Sequence, residues 1–291
     1  MDVLDHRICE LGEGVLWHPL REELFWFDIT GKRLLSHHPA TGHTRAVPLT
    51  EMCSAAAWID HDHLLVASET GLWTYDVGTG DFGHLADLEA DNPATRSNDG
   101  RADPWGGFWI GTMGKNAEPG AGAIYRYFGG ELRKIADGIS IPNALCFDEG
   151  RGCGYFADTD ARLLFRVPLD KAGWPTDAPE VFVDFTHAGL SPDGAVTDAA
   201  GTLWVALWGA GAVIEVSPDG TLGARHELAA PHATCPAFGG PEFTTLYCTS
   251  ATQGLGAGAL AEAPLSGALF AQPGAGQGKA EPAFKLDTGD A

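Results

Sequence analysis

The chain has 291 residues, 44% of them hydrophobic, which supplies enough apolar material for a substantial core and excludes a disordered chain. Its 39 acidic and 18 basic residues leave a formal charge of −21 that repels phosphate backbones and anionic lipid, so neither nucleic acid nor a membrane is an expected partner. No apolar run approaches the length of a membrane span, and the opening MDVLDHRICELGEG reads as mature cytoplasmic protein rather than a secretory leader.

In chain order, six segments share one layout. They are VLWHPLREELFWFDI, AAWIDHDHLLVASETGLWTYD, GRADPWGGFWIGTM with GAIYRYF, ALCFDEGRGCGYFADTDARLLFRV, AVTDAAGTLWVALWGAGAVIEV, and AFGGPEFTTLYCTSA with GALFAQP after the loop GLGAGALAEAPL. They recur about every 40–50 residues, the period of propeller blades. Each reads as strand, tight turn, strand, with turn chemistry in DEGRG, DPWGG, DAAGT, VGTGD and SPDGT. No 3.6-residue apolar stripe extends over three turns. The pattern predicts an all-β six-bladed β-propeller, a single domain over residues 1–291, in which residues 7–11 pair into the last blade and close the ring. Residues 272–278 are expected to be loop and residues 283–286 a final short strand. A pair of β-sandwiches explains the regular repeat less well. A closed ring needs no partner to cover its edges, so a monomer is expected.

The six cysteines (Cys9, Cys53, Cys146, Cys153, Cys235, Cys248) show no CxxC pair and no zinc-finger spacing. Most lie in apolar runs such as NALCFD and TLYCTS and read as small buried hydrophobes rather than disulfides.

Four short motifs, LGEG, SNDG, IPNA and SPDG, open four of the six segments and hold Glu13, Asn98, Asn143 and Asp193. Equivalent positions of a repeat arranged around an axis converge, and two carboxylates with two amides at one point make a site for a hard divalent cation. Each motif also has an ordinary reading, because Asn-Asp-Gly and Pro-Asp-Gly are common turns. Ser217-Pro218-Asp219-Gly220 repeats the letters of the fourth motif at the outer end of a blade, where it reads as a plain hairpin turn. Position in the repeat separates Asp193 from Asp219. The letters of His61-Asp62-His63 suggest a metal site, but they sit at a hairpin tip, and His37-His38 read as a strand end.

The motifs LGEGVLWHP, TRSNDGRADPWGGFWIGTM, IPNALCFD, ADTD, SPDGAVTDAAGTLWVALWGAGAVIEVSPDG and CPAFGGPEFTTLYCTSA, in this order, resemble the regucalcin/gluconolactonase (senescence-marker-protein) family over nearly the whole length. The resemblance implies a six-bladed propeller with one divalent cation in its channel, held by Glu13, Asn143 and Asp193. It also implies hydrolysis of sugar lactones, with Arg96 and Asn98 lining the pocket and binding sugar hydroxyls. Two departures stand out. Ala144 follows the ligand asparagine where the family usually has glycine, and Gly114-Lys115-Asn116 follow GTM where several members carry acidic residues.

Lactone hydrolysis needs an activated water and stabilisation of an oxyanion, and a divalent cation supplies both. Asp193 is the candidate general base, with a second carboxylate oxygen free to take a proton; the alternative makes it a ligand only, with the cation generating the nucleophile. An all-oxygen set suits calcium, magnesium or manganese, and zinc or Fe(II) also accept such ligands. Arg96 is expected to point into the mouth, its ordinary alternative being a surface salt bridge with Asp91 or Asp99. Asn116 is expected to contact substrate from its loop. Met113, Trp208 and Cys53-Ser54 fall where inner strands end or loops enter, so pocket and core readings both stand for them, and His187 in FTHAGL lies in the loop before Asp193. No GxSxG, Walker or dinucleotide motif occurs, which argues against a serine esterase or a nucleotide enzyme. Three functions therefore compete: a metal-dependent lactonase acting on a gluconolactone, galactonolactone or pentonolactone, a promiscuous aryl-ester or phosphotriester hydrolase, and a calcium-binding propeller without catalysis.

Overall fold

The β-branched and aromatic runs form strands and the glycine- and aspartate-rich segments between them form turns, giving six four-stranded sheets in a computed structural model that describes residues 1–286. The first sheet is typical: Gly12–His18, Glu23–Asp28, Arg33–His38 and His43–Pro48 follow one another as an antiparallel meander. The other sheets open with Cys53–Trp58, Thr95–Ala102, Pro142–Asp148, Ser191–Thr197 and His232–Gly239.

Burial falls along each meander. Every residue of Gly12–His18 and of Thr95–Ala102 is buried, whereas His43–Pro48 and Leu222–Glu227 are almost wholly exposed. A first strand is covered on both faces by neighbouring sheets, so it tolerates apolar residues throughout.

The first strands contact one another in a closed circuit, the sixth returning to the first. Six apolar clusters fill the six interfaces. Phe25, Phe27 and Leu34 meet Leu64, Val66 and Tyr75 between the first two sheets. Val15, Trp17 and Trp26 meet Ala237, Tyr247 and Leu269 between the sixth and the first. The result is an all-β, propeller-like fold. All six cysteines are free and buried, and Ser217–Gly220 is a surface turn closed by a 2.8 Å bond from Gly220 N–H to Ser217 O.

Three local features differ from expectation. The N-terminal strand that pairs with the sixth sheet is Asp2–Asp5, laid antiparallel against Leu269–Gln272. Residues 7–11 instead carry the chain from that outer edge inward, held by Cys9 N–H to Gly267 O and a bridge from Leu11 to Ala251. Residues 283–286 form no strand, because their backbone bonds go to two different sheets, Phe284 N–H to Trp58 O and Lys285 N–H to Gly106 O. The loop GLGAGALAEAPL contains a short helix, Ala257–Glu262, whose Ala and Leu content favours it once the chain leaves the sheet. Among the described residues no helix is long and apolar enough to cross a membrane.

Asp5 pins the N-terminal strand. Arg7 Nε and Nη2 donate to its two carboxylate oxygens at 2.9 and 2.7 Å, and His37 Nδ1 lies 2.9 Å from Oδ2. Burial pushes the carboxyl up, but the bonds from Arg7 and His37 outweigh it and hold the group at about 2, below the ordinary 3.8. A depressed carboxylate stabilises the fold above its ordinary value and loses that contribution as pH falls towards the native one. Asp5→Asn is expected to cost about 1–3 kcal/mol at neutral pH. In urea denaturation, the gap to the parent protein should close as pH falls from 3.8 towards 2.

Candidate functional site

Each first strand breaks its pairing near its N-terminal end, and the motif residues sit at these breaks. The registers slip between Glu13 and Leu16, Ser97 and Gly100, Asn143 and Cys146, and Pro192 and Ala195. A bulge re-aims side chains that would otherwise alternate between the faces of a sheet. The four positions are close to equivalent but not strictly so. Glu13 and Asn143 still pair across the sheet, with Phe27 and Ala157, whereas Asn98 and Asp193 fall one residue later, inside the slipped step. Either place in a bulge brings a side chain to the axis.

The breaks require unusual backbone. Gly14 has φ 59°, and a Cβ there would lie 2.2 Å from Ser54 O. Ala144 also occupies the left-handed region, with φ 55°. The glycine usual in resembling chains would fit here without strain, so Ala144 holds Asn143 in place at a local cost.

A cavity of about 400 Å³ opens over these strand ends, lined by Glu13, Arg96, Asn98, Met113, Asn116, Asn143, Asp193 and Trp208. The structure thus places these eight residues around one cavity. Sequence reasoning had not singled out Leu11, Ala117, Ile141, Thr159 or Gln253, which line the cavity with them, as does Lys115. Cys53 belongs to the apolar core instead, and His187 is exposed and outside the lining.

Hydrogen bonds orient the polar groups in a line. Arg96 lines the cavity and donates to Ser97 O and Asn98 Oδ1 at 2.8 Å rather than to Asp91 or Asp99, the partners of the alternative surface salt bridge. Asn98 Nδ2 donates to Asn143 Oδ1 at 3.0 Å, Asn143 Nδ2 donates to Thr159 Oγ1 at 2.8 Å, and Thr159 donates to Pro192 O at 2.6 Å. At the rim Lys115 Nζ meets Glu69 at 2.6 Å, and Asn116 Nδ2 donates to Glu118 at 2.9 Å. Trp208 stacks on His232 with ring centroids 3.9 Å apart.

The carboxylates receive less support. Glu13 and Asp193 each accept a bond from the following backbone N–H, of Gly14 and Gly194. Burial pushes both carboxyls well up, and the charge of Asp99, with that of Glu13 on Asp193, pushes further than Arg96 can offset. Burial lowers Arg96 to about 10, still a cation at neutral pH. Among the described residues no three His, Cys, Asp or Glu side chains are grouped to hold a metal ion. The expected ligand set is of another kind, two carboxylates and the amide of Asn143.

Residues 11–252 match the family model described as SMP-30/Gluconolactonase/LRE-like region. The chain belongs to this family. It is similar to Pentonolactonase XacC of Haloferax volcanii, 35% identical over 285 residues covering 96% of this chain and 95% of the relative. It is also similar to 6-deoxy-6-sulfogluconolactonase of Pseudomonas putida, 34% identical over 280 residues covering 94% of each. A solved structure described as a calcium-binding protein, regucalcin, from Agrobacterium tumefaciens superposes with a TM-score of 0.95 at 42% identity, covering 98% of this chain and 97% of that one.

The strain at Ala144 can be measured. Relief of a left-handed alanine, roughly 1–2 kcal/mol, exceeds the entropy that glycine loses on folding, roughly 0.5–1 kcal/mol. The Ala144 methyl is fully buried, and its loss, about 0.8 kcal/mol, offsets that gain, so Ala144→Gly is expected to leave the denaturation midpoint nearly unchanged and Ala144→Val to lower it.

Proposed function

We infer that this chain is a divalent-cation-dependent hydrolase of sugar lactones, a single six-bladed propeller domain acting as a monomer, which opens an aldonolactone to its aldonic acid. The observation that carries the reading is the pairing of two buried, poorly compensated carboxylates with oriented amides and a guanidinium in one cavity of about 400 Å³. Membership of a family with named sugar lactonases supports it.

The residues fit a cation. Glu13, Asn143 and Asp193 offer side-chain oxygens with a single donor group among them, the Asn143 amide, and Asp99 Oδ1, whose charge acts on both carboxyls, is buried without a hydrogen-bond partner. Glu13, Asn143 and Asp193 would hold the ion, and their oxygens suit Ca, Mg or Mn, with Zn or Fe(II) also accepted. When bound, the cation polarises the lactone carbonyl and acidifies water.

The chain's own groups do the rest. Arg96 presents guanidinium donors and Asn98 the free lone pair of its Oδ1 to ring hydroxyls, Asn116 and Met113 bound the sugar, and Trp208 supplies an apolar wall. Asp193 takes a proton from the attacking water as its oxygen bonds to the carbonyl carbon. The bond from that carbon to the ring oxygen then breaks, and the ring oxygen leaves as a hydroxyl with the proton returned.

The first test is proton release from five- and six-carbon aldonolactones by metal-stripped protein, with each divalent cation restored in turn. Hydrolysis of a subset on restoration is expected. Silence across the panel with calcium still bound would leave a calcium-binding role, in keeping with the description of the Agrobacterium protein. Asp193→Asn is expected to lower turnover by about 10²–10⁴-fold, the range for a general base. Near-parental turnover would remove Asp193 from that role.

The raised carboxyls predict a pH dependence. A cation must displace their protons, so affinity should rise with pH, and binding in unbuffered solution should release protons. Without a cation the same groups stabilise the fold below their ordinary values and lose that contribution as pH rises through the elevated ones. Thermal melts in chelator should therefore fall with rising pH, and an added cation should restore them.

A further inference from the structure

Beyond Leu269–Gln272 the described residues stay on the molecule. Residues 273–286 form a strap beneath the sheets, at the opposite ends of the first strands from the cavity. Ala275 and Gly278 N–H donate to Thr244 O and Phe243 O of the sixth sheet at 3.1 and 2.9 Å, and Gln277 O accepts from Ala199 at the fifth sheet's first turn at 2.9 Å. Lys279 Nζ reaches Phe147 O of the fourth sheet at 3.2 Å. Phe284 N–H donates to Trp58 O of the second sheet at 2.9 Å, and Lys285 N–H to Gly106 O in the third at 3.0 Å. The Phe284 ring is buried and stacks on Tyr127.

In mid-strap Glu281 turns inward. It is 6% exposed, its backbone carbonyl accepts from Trp58 Nε1 at 2.8 Å, and its carboxylate meets the buried guanidinium of Arg101. Arg101 Nε donates to Leu145 O at 3.0 Å, and Nη2 to Pro236 O at 3.3 Å and to Cys235 Sγ at 3.9 Å. The N–H of the same Leu145 donates to Asp99 Oδ2 at 2.7 Å. Leu145 is thus gripped on both sides, inside the slipped step that begins at Asn143 and contains the left-handed Ala144. Asp99 stands next to Asn98, and its charge acts on both Glu13 and Asp193.

We propose that Glu281 is a positioning residue for the cavity on the far side: by anchoring Arg101 it holds the Leu145 peptide, and with it the Asn143 bulge and the Asp99 charge, in the arrangement that binds a divalent cation. This rests on the cation reading given above. Charge points the same way. Among the described residues, Glu13, Asp99, Asp193 and Glu281 lie along this axis with the buried guanidiniums of Arg96 and Arg101, so a divalent cation that displaces the carboxyl protons matches the charge left over. Without the Glu281 carboxylate, Arg101 is free to draw Asp99 away from the site and adds an unopposed positive charge behind it.

The experiment is calorimetric titration of metal-stripped protein with calcium and with manganese, for the parent, Glu281→Gln and Glu281→Asp, with circular dichroism in chelator to confirm folding. The expected result is cation affinity weaker by about tenfold or more in Glu281→Gln, in line with groups that orient metal ligands. Glu281→Asp, which keeps the charge at shorter reach, should lie between Gln and the parent. Should Glu281→Gln not fold, the Asp variant alone is compared with the parent and is expected to bind several-fold more weakly. A folded Gln variant, or failing it the Asp variant, that binds as tightly as the parent would overturn the inference and leave the cation reading standing; so would an Asp variant no better than Gln. Absence of binding by the parent protein would overturn the cation reading and this inference with it.

Discussion

The structure turns on an excess of negative charge buried along one axis. Glu13, Asp99, Asp193 and Glu281 are each less than a tenth exposed, and the guanidiniums buried with them are those of Arg96 and Arg101. Burying an uncompensated carboxylate is among the more expensive things a fold can do. The ring of sheets makes the arrangement persist. Each first strand is packed between two neighbours, so no single sheet can withdraw to hydrate its carboxylate without opening two apolar interfaces. The apolar clusters therefore hold the polar centre together, and burial raises its Glu13 and Asp193 carboxyls.

Local backbone irregularity turns that charge into a site. A regular first strand would send alternate side chains into the two flanking interfaces. The slipped registers interrupt this alternation near the strand entrances, where side chains meet instead of packing. The line from Arg96 through Asn98, Asn143 and Thr159 to Pro192 then sets each amide across three sheets. A ligand arriving there meets groups already oriented, so little conformational freedom is lost on binding. At the rim, by contrast, Lys115 and Asn116 are tied to Glu69 and Glu118. The Lys115 charge is thus matched by Glu69 before any ligand arrives, while Glu118 keeps its charge and orients the neutral Asn116 amide.

Much of this was legible in the chain. The six-fold recurrence of apolar runs and turns announced the sheets, because strand, turn and strand are local choices read at short range. Glu13 is legible as a carboxylate between glycines before an apolar run, where it has no packing role, and Asn98, Asn143 and Asp193 by opening equivalent units of the repeat. Arg101 and Asp99 did not stand out. Asp99 reads as part of an Asn-Asp-Gly turn, and Arg101 as the polar edge of a strand; only the burial of that strand on both faces makes them interior. Glu281 was less visible still, in a proline- and glycine-rich tail with no periodicity, 180 residues from the arginine it meets.

By itself the sequence determined the all-β repeat, the spacing of its units, and which oxygen-bearing residues open them, since each is encoded within a few residues. Tertiary structure alone decided that Leu11, Thr159 and Gln253 share the cavity, that the N-terminal strand is Asp2–Asp5, and that residues 273–286 run as a strap under the ring. Those outcomes depend on where a closed ring leaves an edge unpaired and a floor uncovered. No local stretch of chain contains that information, because it arises only when the first sheet meets the last.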